Sequence, residues 1–308
     1  AYKMKVWRLP VAAPQARGKA LVNLLPLEEG ERITTIMPLP EDEAARNELD
    51  VMFATRSGTV RRNKLSDFIR VNRNGKIAMK LPEDDDGNPT DKIVNVCICR
   101  DDEDILLATA GGMCVRTRVD NVRVFQSRNS TGVRGITLAE GDRVISMTAL
   151  RHVELDTEER DAYIRQANAL RRDSEGADPV DTVIPSERFA ELNALEEFIL
   201  TITADGYGKR SSAFEYRVTN RGGKGIVAID TSKRGSDVVA AFPVADTDQL
   251  MMVTNGGKLI RSAVDEIRIA GRNTQGVILF RLDKDEQVVS AERIDESNDF
   301  IPLQVELI

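Results

Sequence analysis

The sequence repeats itself. A chain built from copies of one short unit can bury its core only by stacking those copies. Four stretches read as strand, tight turn, strand: Val51–Thr55 before Gly58, Ile105–Thr109 before Gly112, Phe198–Ile202 before Gly206, and Leu250–Thr254 before Gly257. Glycine supplies the positive φ that such hairpin turns require. Four residues beyond each turn glycine stands an arginine: Arg62, Arg116, Arg210 and Arg261. Seven beyond lies a small or apolar residue (Leu65, Val119, Ala213, Val264), and ten beyond a large apolar one (Phe68, Val122, Tyr216, Ile267). Lys3, Val6 and Leu9 fit the same frame. The sequence, which opens on Ala1 rather than Met, is therefore expected to begin inside a repeat, as a fragment.

A second element follows each hairpin: a basic, glycine-containing loop leading into an apolar strand. The loops begin at Arg17-Gly18-Lys19, Arg73-Asn74-Gly75-Lys76, Arg128-Asn129-Ser130-Thr131-Gly132, Arg221-Gly222-Gly223-Lys224-Gly225 and Arg272-Asn273-Thr274-Gln275-Gly276. Acidic turns such as Glu28-Glu29-Gly30-Glu31 and Glu140-Gly141-Asp142 then lead to a returning strand. Gly18 to Gly75 and Gly75 to Gly132 are each 57 residues, and Gly222 to Gly276 is 54, but Gly132 to Gly222 is 90. Something of roughly 35 to 40 residues is inserted there. It spans about residues 151–197, where the β pattern stops. Asp156 with Glu159 reads as a helix start, Tyr163, Ala167 and Leu170 share one helical face, and a second short helix is expected from Ser186 with Phe189 and Leu192 on one face. A polar stretch rich in Asp, Gly and Pro separates the two. A unit of this length with four short strands is the size of a propeller blade. The expected fold is all-β, a wheel of four-stranded blades over residues 1–308, open or closed, carrying an α-helical insertion.

The 308 residues hold 43 Lys+Arg and 50 Asp+Glu, a net charge of −7. Taken whole, that balance speaks against a nucleic-acid binder. Its location changes the reading. Residues 151–197 contain 6 basic and 13 acidic side chains, so the insertion accounts for the entire excess and the repeats hold 37 of each sign. Repetition places equivalent residues at equivalent radii, so the basic loops are expected to form a band suited to a duplex phosphate backbone. Loop glycines allow close approach and offer N–H donors to phosphate. The candidate contacts are Arg17, Lys19, Arg62, Arg73, Lys76, Arg116, Arg128, Arg134, Lys209, Arg210, Arg221, Lys224, Arg261 and Arg272. For the arginines four past the turns a competing role is equally open: framework residues paired with blade carboxylates. Nothing reads as a recognition helix, which argues against base-specific readout, and 5% aromatics disfavour a stacking platform for single strands.

Other chemistries find little support. Cys97, Cys99 and Cys114 lie in strand-like stretches at spacings that suit buried thiols better than a zinc site. His152 is the sole histidine. Gly222-Gly223-Lys224-Gly225 and Gly256-Gly257-Lys258 lack the Ser/Thr of a phosphate loop. There is no run of 18 apolar residues and no signal-peptide pattern, so a cytoplasmic location is expected.

Four runs resemble the C-terminal domain of the bacterial DNA gyrase A subunit: Leu21-Val22-Asn23-Leu24-Leu25-Pro26-Leu27, Thr131-Gly132-Val133-Arg134-Gly135-Ile136, Gly206-Tyr207-Gly208-Lys209-Arg210, and Gly271 through Leu279. The resemblance covers nearly the whole chain apart from the insertion and the last few residues. It implies a β-pinwheel, a propeller-like wheel whose blades exchange strands, with a basic rim that wraps duplex DNA. In that family the wrapping serves the introduction of negative supercoils by an A2B2 enzyme using ATP and Mg²⁺ in the bacterial cytoplasm, at the nucleoid. The cleavage chemistry lies in the N-terminal part of the A subunit together with the B subunit, so no cofactor is expected in this domain and no catalytic residue. Tyr2, Tyr163, Tyr207 and Tyr216 are not assigned the cleavage role. The family's Gln-Arg-Arg-Gly-Gly-Lys-Gly box belongs to its first blade and is absent here. Asn220–Gly225 matches much of it, but in a later blade. A six-bladed pattern would leave about one and a half blades outside this sequence. The matching domain of topoisomerase IV, or a propeller-like protein-interaction scaffold, are the alternatives.

Overall fold

The computed structural model describes residues 1–13, 16–28, 30–31, 33–40, 42–126, 130–173, 184–295 and 306–307. Candidate Arg128, Glu29 of the first acidic turn and most of the polar stretch between the insertion helices lie outside them.

The strands, in chain order, are β1 (Met4–Lys5), β2 (Asp50–Thr55), β3 (Thr59–Lys64), β4 (Ile93–Cys99), β5 (Glu103–Thr109), β6 (Met113–Arg118), β7 (Val133–Arg134), β8 (Val144–Arg151), β9 (Phe198–Thr203), β10 (Tyr207–Ser212), β11 (Ile226–Val227), β12 (Val238–Val244), β13 (Gln249–Thr254), β14 (Leu259–Ala263), β15 (Val277–Ile278), β16 (Val288–Ile294) and β17 (Glu306–Leu307). They form four small antiparallel sheets arranged as propeller blades: β4-β2-β3-β7, β8-β5-β6-β11, β12-β9-β10-β15 and β16-β13-β14. A short β1–β17 pair stands apart. All four expected hairpins are present, and their turn glycines have φ of 80° to 87°. A threonine three residues before each glycine (Thr55, Thr109, Thr203, Thr254) is buried and closes the turn through its carbonyl, which accepts from the glycine N–H.

The fourth strand of each complete blade comes from the following repeat. β7 leaves the β5–β6 unit to pair with β3, β11 pairs back onto β6, and β15 onto β10. This strand exchange is the pinwheel topology that the resemblance implied. It needs a glycine in the loop just before each exchanged strand, because the backbones nearly touch. A Cβ on Gly132 would lie 2.4 Å from the Val60 carbonyl, on Gly225 2.3 Å from that of Cys114, and on Gly276 2.6 Å from that of Gly208. The chain then continues over the neighbouring turn, where Ile136, Ala228 and Leu279 donate their N–H to the carbonyls of Gly58, Gly112 and Gly206.

Between successive sheets the gaps are filled by apolar side chains. Met52, Val60, Ile105, Leu107, Val119 and Ile136 close the first junction. Leu106, Cys114, Ile199, Ala213 and Tyr216 close the second, and Leu200, Met252, Val264, Ile267 and Val288 the third. The cysteines are part of this packing rather than of any surface, with Cys99 and Cys114 buried and Cys97 half-buried. Burial pushes the Cys99 and Cys114 thiols up to about 12.

The insertion folds as two helices, α2 (Thr157–Asp173) and α3 (Ser186–Leu195), after a single-turn α1 (Glu43–Asn47) early in the chain. Asp156 caps α2, its Oδ1 accepting from the Glu159 N–H at 2.8 Å. Tyr163, Ala167 and Leu192 are buried together with Phe214 of the third blade, but Leu170, expected on that face, is 54% exposed. Among the described residues no helix is long and apolar enough to cross a membrane.

Candidate nucleic-acid interface

The arginines four past the turns separate from the other candidates. Arg62, Arg116 and Arg210 are only 4–5% exposed, so they are not presented to a large ligand. Arg62 Nε donates to Asp50 Oδ2 at 2.6 Å, Arg116 Nε to Asp104 Oδ2 at 2.8 Å, and Arg210 pairs with Asp246. Each guanidinium also reaches into the next repeat. Arg62 donates to the carbonyls of Val119 and Val122, Arg116 to that of Ala213, and Arg210 to those of Ile267 and Asp265. Lys3, the frame's N-terminal counterpart, does the same with the carbonyl of Ile69. A planar fork with five donors can hold a carboxylate of its own blade and carbonyls of the next at once, which explains arginine at this position. Of the two roles open to them, these three occupy the framework one. Arg261, on the last blade, is exposed; β14 has no strand from a following repeat on its outer edge among the described residues.

Lys209 is also interior. Its ammonium lies beneath the basic loop of the next repeat, donating to the carbonyls of Gly271 at 2.7 Å and Thr274 at 3.0 Å, and to that of Arg272. Burial pulls this lysine down to about 7, opposed by the nearby Glu215 carboxylate. Arg61 plays the matching part in the first blade: wholly buried, it donates to the Ser130 carbonyl. These buried cations gather the inward carbonyls of the loops.

The loops themselves carry the exposed charge. Arg17, Lys19, Arg73, Arg134, Arg221 and Lys224 are all exposed. Lys76 is half-buried and donates to the Asp67 and Arg70 carbonyls. Arg272 is half-buried too, its guanidinium donating to the carbonyls of Glu215 and Val227 and its backbone N–H to Glu215 Oε2. The closest clustering joins two blades. Arg221 donates to the Arg134 carbonyl at 3.2 Å and to the Asn121 carbonyl at 3.1 Å, and the Arg134 side chain runs past Gly222. Thr137 Oγ1 donates to the Gly222 carbonyl at 2.7 Å, and the Gly222 N–H to that of Gly135. Two arginines and Lys224 are thereby held by a fixed backbone scaffold on the exchanged-strand edge, with their charge facing solvent. Arg123, stacked 4.4 Å over Phe125, is not among the residues singled out from the sequence, and neither is Arg268; both are exposed, and both follow the large apolar residue of the frame directly.

The family model described as "DNA gyrase C-terminal domain, beta-propeller" matches residues 1–40, 49–86, 103–151, 197–245 and 248–295, leaving the helical insertion unmatched. The DNA gyrase A subunit of Granulibacter bethesdensis is 48% identical over 97% of this chain, that of Rickettsia bellii 46% over 97%, and that of Escherichia coli 38% over 97%. These alignments cover 34%, 33% and 28% of the relatives, so the chain spans about a third of the length of the proteins it matches. Among solved structures, the C-terminal domain of DNA topoisomerase IV superposes with a TM-score of 0.67 at 18% identity, covering 90% of this chain and 71% of that one. A DNA gyrase A C-terminal domain superposes with a TM-score of 0.64 at 20% identity, covering 92% and 78%. With its repeats matched one by one and its blades exchanging strands, the chain belongs to the DNA gyrase C-terminal domain family of β-propellers.

Proposed function

We propose that the chain binds duplex DNA along the exchanged-strand edge of its blades and bends it, as the wrapping module of a gyrase A subunit. The observation that carries this reading is the joining of Arg134 to Arg221 and Lys224 across a blade junction, exposed and held by backbone hydrogen bonds. Arg17, Lys19, Arg73 and Arg261 add exposed charge outside this cluster, Lys76 and Arg272 add partly buried charge from the same kind of loop, and Arg128 belongs in sequence to the basic stretch that precedes β7. Bending a duplex costs about 1–6 kcal/mol for 40–90° over a 20–30 bp site, and phosphate contacts supplied blade after blade offset it. Arg62, Arg116, Lys209 and Arg210 serve this indirectly, by fixing the loops and blades that present the charge.

In the complete enzyme the wrapped segment would be handed to the cleavage core in the N-terminal part of the A subunit, working with the B subunit in an A2B2 complex that uses ATP and Mg²⁺ to introduce negative supercoils. The chain's own part in this is geometric, carried out in the cytoplasm at the nucleoid. Topoisomerase IV shares the fold, with nearly the same TM-score, and the names of the 38–48% identical relatives support the gyrase reading over it.

Titration of mixed-sequence duplex against the chain over a salt series tests the proposal. Binding should be sequence-tolerant and weaken steeply as salt rises. Closing relaxed circular DNA in the presence of the full-length protein should trap supercoils of one hand. Absence of binding at low salt would overturn the reading.

A further inference from the structure

The repeat frame carries a second line of arginines. Arg123, Arg217 and Arg268 each stand one residue past the large apolar position, and all three are exposed. Each precedes the residue that bridges, in parallel, to the framework arginine of the preceding blade: Val124 to Arg62, Val218 to Arg116, Ile269 to Arg210. They therefore occupy equivalent places at three consecutive junctions. The exchanged strands attach to the same outer edges two residues nearer the hairpin, Val133 on Val60, Ile226 on Cys114 and Val277 on Gly208. Two residues of strand are about 7 Å. The exposed arginines that precede Val124, Val218 and Ile269 thus stand on the same blade edges as the exchanged strands and their basic loops, displaced from them along the strand direction.

One member of the second line is differently placed. Arg217 lines two adjoining clefts between the insertion and the blades, of about 680 and 520 Å³, and a third, of about 320 Å³, that it shares with Lys224. The insertion contributes Glu154, Asp156, Glu159 and Arg160 to the first and Arg160 and Asp161 to the second, and the blades add Arg116 to the first and Glu215 and Arg272 to the second. α2 is fixed in this position. The Tyr163 ring is wholly buried, packs edge-on against Phe214 at 5.4 Å, and its hydroxyl donates to Glu196 at 2.9 Å. Arg217 thus sits beside the segment that carries the chain's whole excess of negative charge, and a phosphate backbone approaching it from that side would meet the field of the insertion first.

We propose that Arg123 and Arg268 form a second line of duplex phosphate contacts, and that the acidic insertion withdraws Arg217 from it. The inference rests on the duplex-binding reading above. Its test is the slope of log affinity against log salt for the chain and a mixed-sequence duplex, which falls by about 0.9 for each phosphate no longer neutralised. Arg123→Ala with Arg268→Ala should lower the slope by about 2, while Arg217→Ala leaves it unchanged. In a background carrying Glu154→Gln and Asp161→Asn, affinity should rise at low salt, and Arg217→Ala should now lower the slope by about 1. Circular dichroism should show every variant folded. An unchanged slope for the Arg123/Arg268 variant, an effect of Arg217→Ala in the unaltered chain equal to that of Arg123→Ala, or a silent Arg217→Ala in the neutralised background would each overturn the proposal. Failure of the unaltered chain to bind duplex at all would instead defeat the reading on which it rests.

Discussion

Nε of Arg116 donates to Oδ2 of Asp104 at 2.8 Å, and both side chains are almost wholly buried between the second and third blades. His152 Nδ1 lies 2.9 Å from the other carboxylate oxygen, and the remaining guanidinium nitrogens reach the carbonyls of Ala213 and Arg151. Removing one partner leaves the other buried without its opposite charge, Asp104 keeping only the His152 contact and Arg116 only its carbonyls. Arg116→Met and Asp104→Leu should each destabilise by about 3–5 kcal/mol, and the double variant by clearly less than their sum. Urea denaturation midpoints measure this. The salt slope of DNA binding by Arg116→Met, where folded protein remains, should match that of the unaltered chain.

This pair also shows how much of the molecule is legible without its fold. Arginine four past the turn recurs in every hairpin, so its importance is plain, but two roles are consistent with that spacing. Asp50 and Asp104 stand eight residues before their turn glycines, whereas that position in the third blade is Phe198, and Arg210 turns to Asp246 instead. With the carboxylate partner shifting between copies, spacing alone hides the pairing. The blades, the basic glycine loops and the insertion can all be read from hydrophobic period and repeat length. Strand exchange cannot, because the exchanged strands are two residues long and their partners lie in another repeat. Arg123, Arg217 and Arg268 stand eleven past their turn glycines, so the frame itself carries the signal; Ile69 at that position of the first copy masks it, and the bridges between blades place the three at equivalent junctions.

Gly225 is the tightest of the exchanged-strand contacts. Its φ is +80°, and a Cβ there would press on both the carbonyl oxygen and carbonyl carbon of Cys114. Backbone cannot swing aside as a flexible side chain does. Gly225→Ala should therefore cost more than the about 1–2 kcal/mol that left-handed backbone alone imposes on an L-residue. The loss should appear as a lowered Tm. Gly223→Ala two residues earlier, where a Cβ would meet only the Gly225 nitrogen at 3.9 Å, should be close to neutral.

Glu286 ties the last blade to its turn. Lys258 Nζ donates to its Oε2 at 2.8 Å, Thr254 Oγ1 to its Oε1 at 2.6 Å, and the Asp283 N–H to Oε2 at 2.9 Å. These donors, the lysine first, hold its carboxyl down at about 2 in the folded protein. A carboxyl depressed by folding contributes stability above its unfolded value, near 4.3, and loses it as pH falls toward the folded value. The unfolding midpoint in urea should therefore fall between about pH 4.5 and 2. Glu286→Gln should be less stable at neutral pH and show a shallower decline through that window. Parallel curves for the two proteins would remove Glu286 from the account of acid sensitivity.

Arg221 and Lys224 offer the most direct comparison between the blades and the insertion. Both are exposed on the loop that leads into β11, beside Arg134 of the preceding exchanged strand. Arg160 and Arg165 are cations of the same type on α2, but each is engaged locally: Arg160 with the Asp161 carboxylate at 2.8 Å and Arg165 with the Asp161 carbonyl at 3.2 Å. They also stand in a field that is negative overall. Reversing charge at Arg221 and Lys224 together removes two cations from the proposed track and adds two repelling groups next to Arg134. Reversing Arg160 and Arg165 changes the net charge of the chain by the same amount, so long-range repulsion alone would weaken binding equally in the two variants. Arg221→Glu with Lys224→Glu should weaken duplex binding by at least tenfold more than Arg160→Glu with Arg165→Glu, equivalent to about 1.4 kcal/mol. Fluorescence anisotropy at a single low salt concentration suffices to measure it. Equal losses would mean that net charge, rather than the blade edge, governs the interaction, and would move the interface away from the exchanged strands.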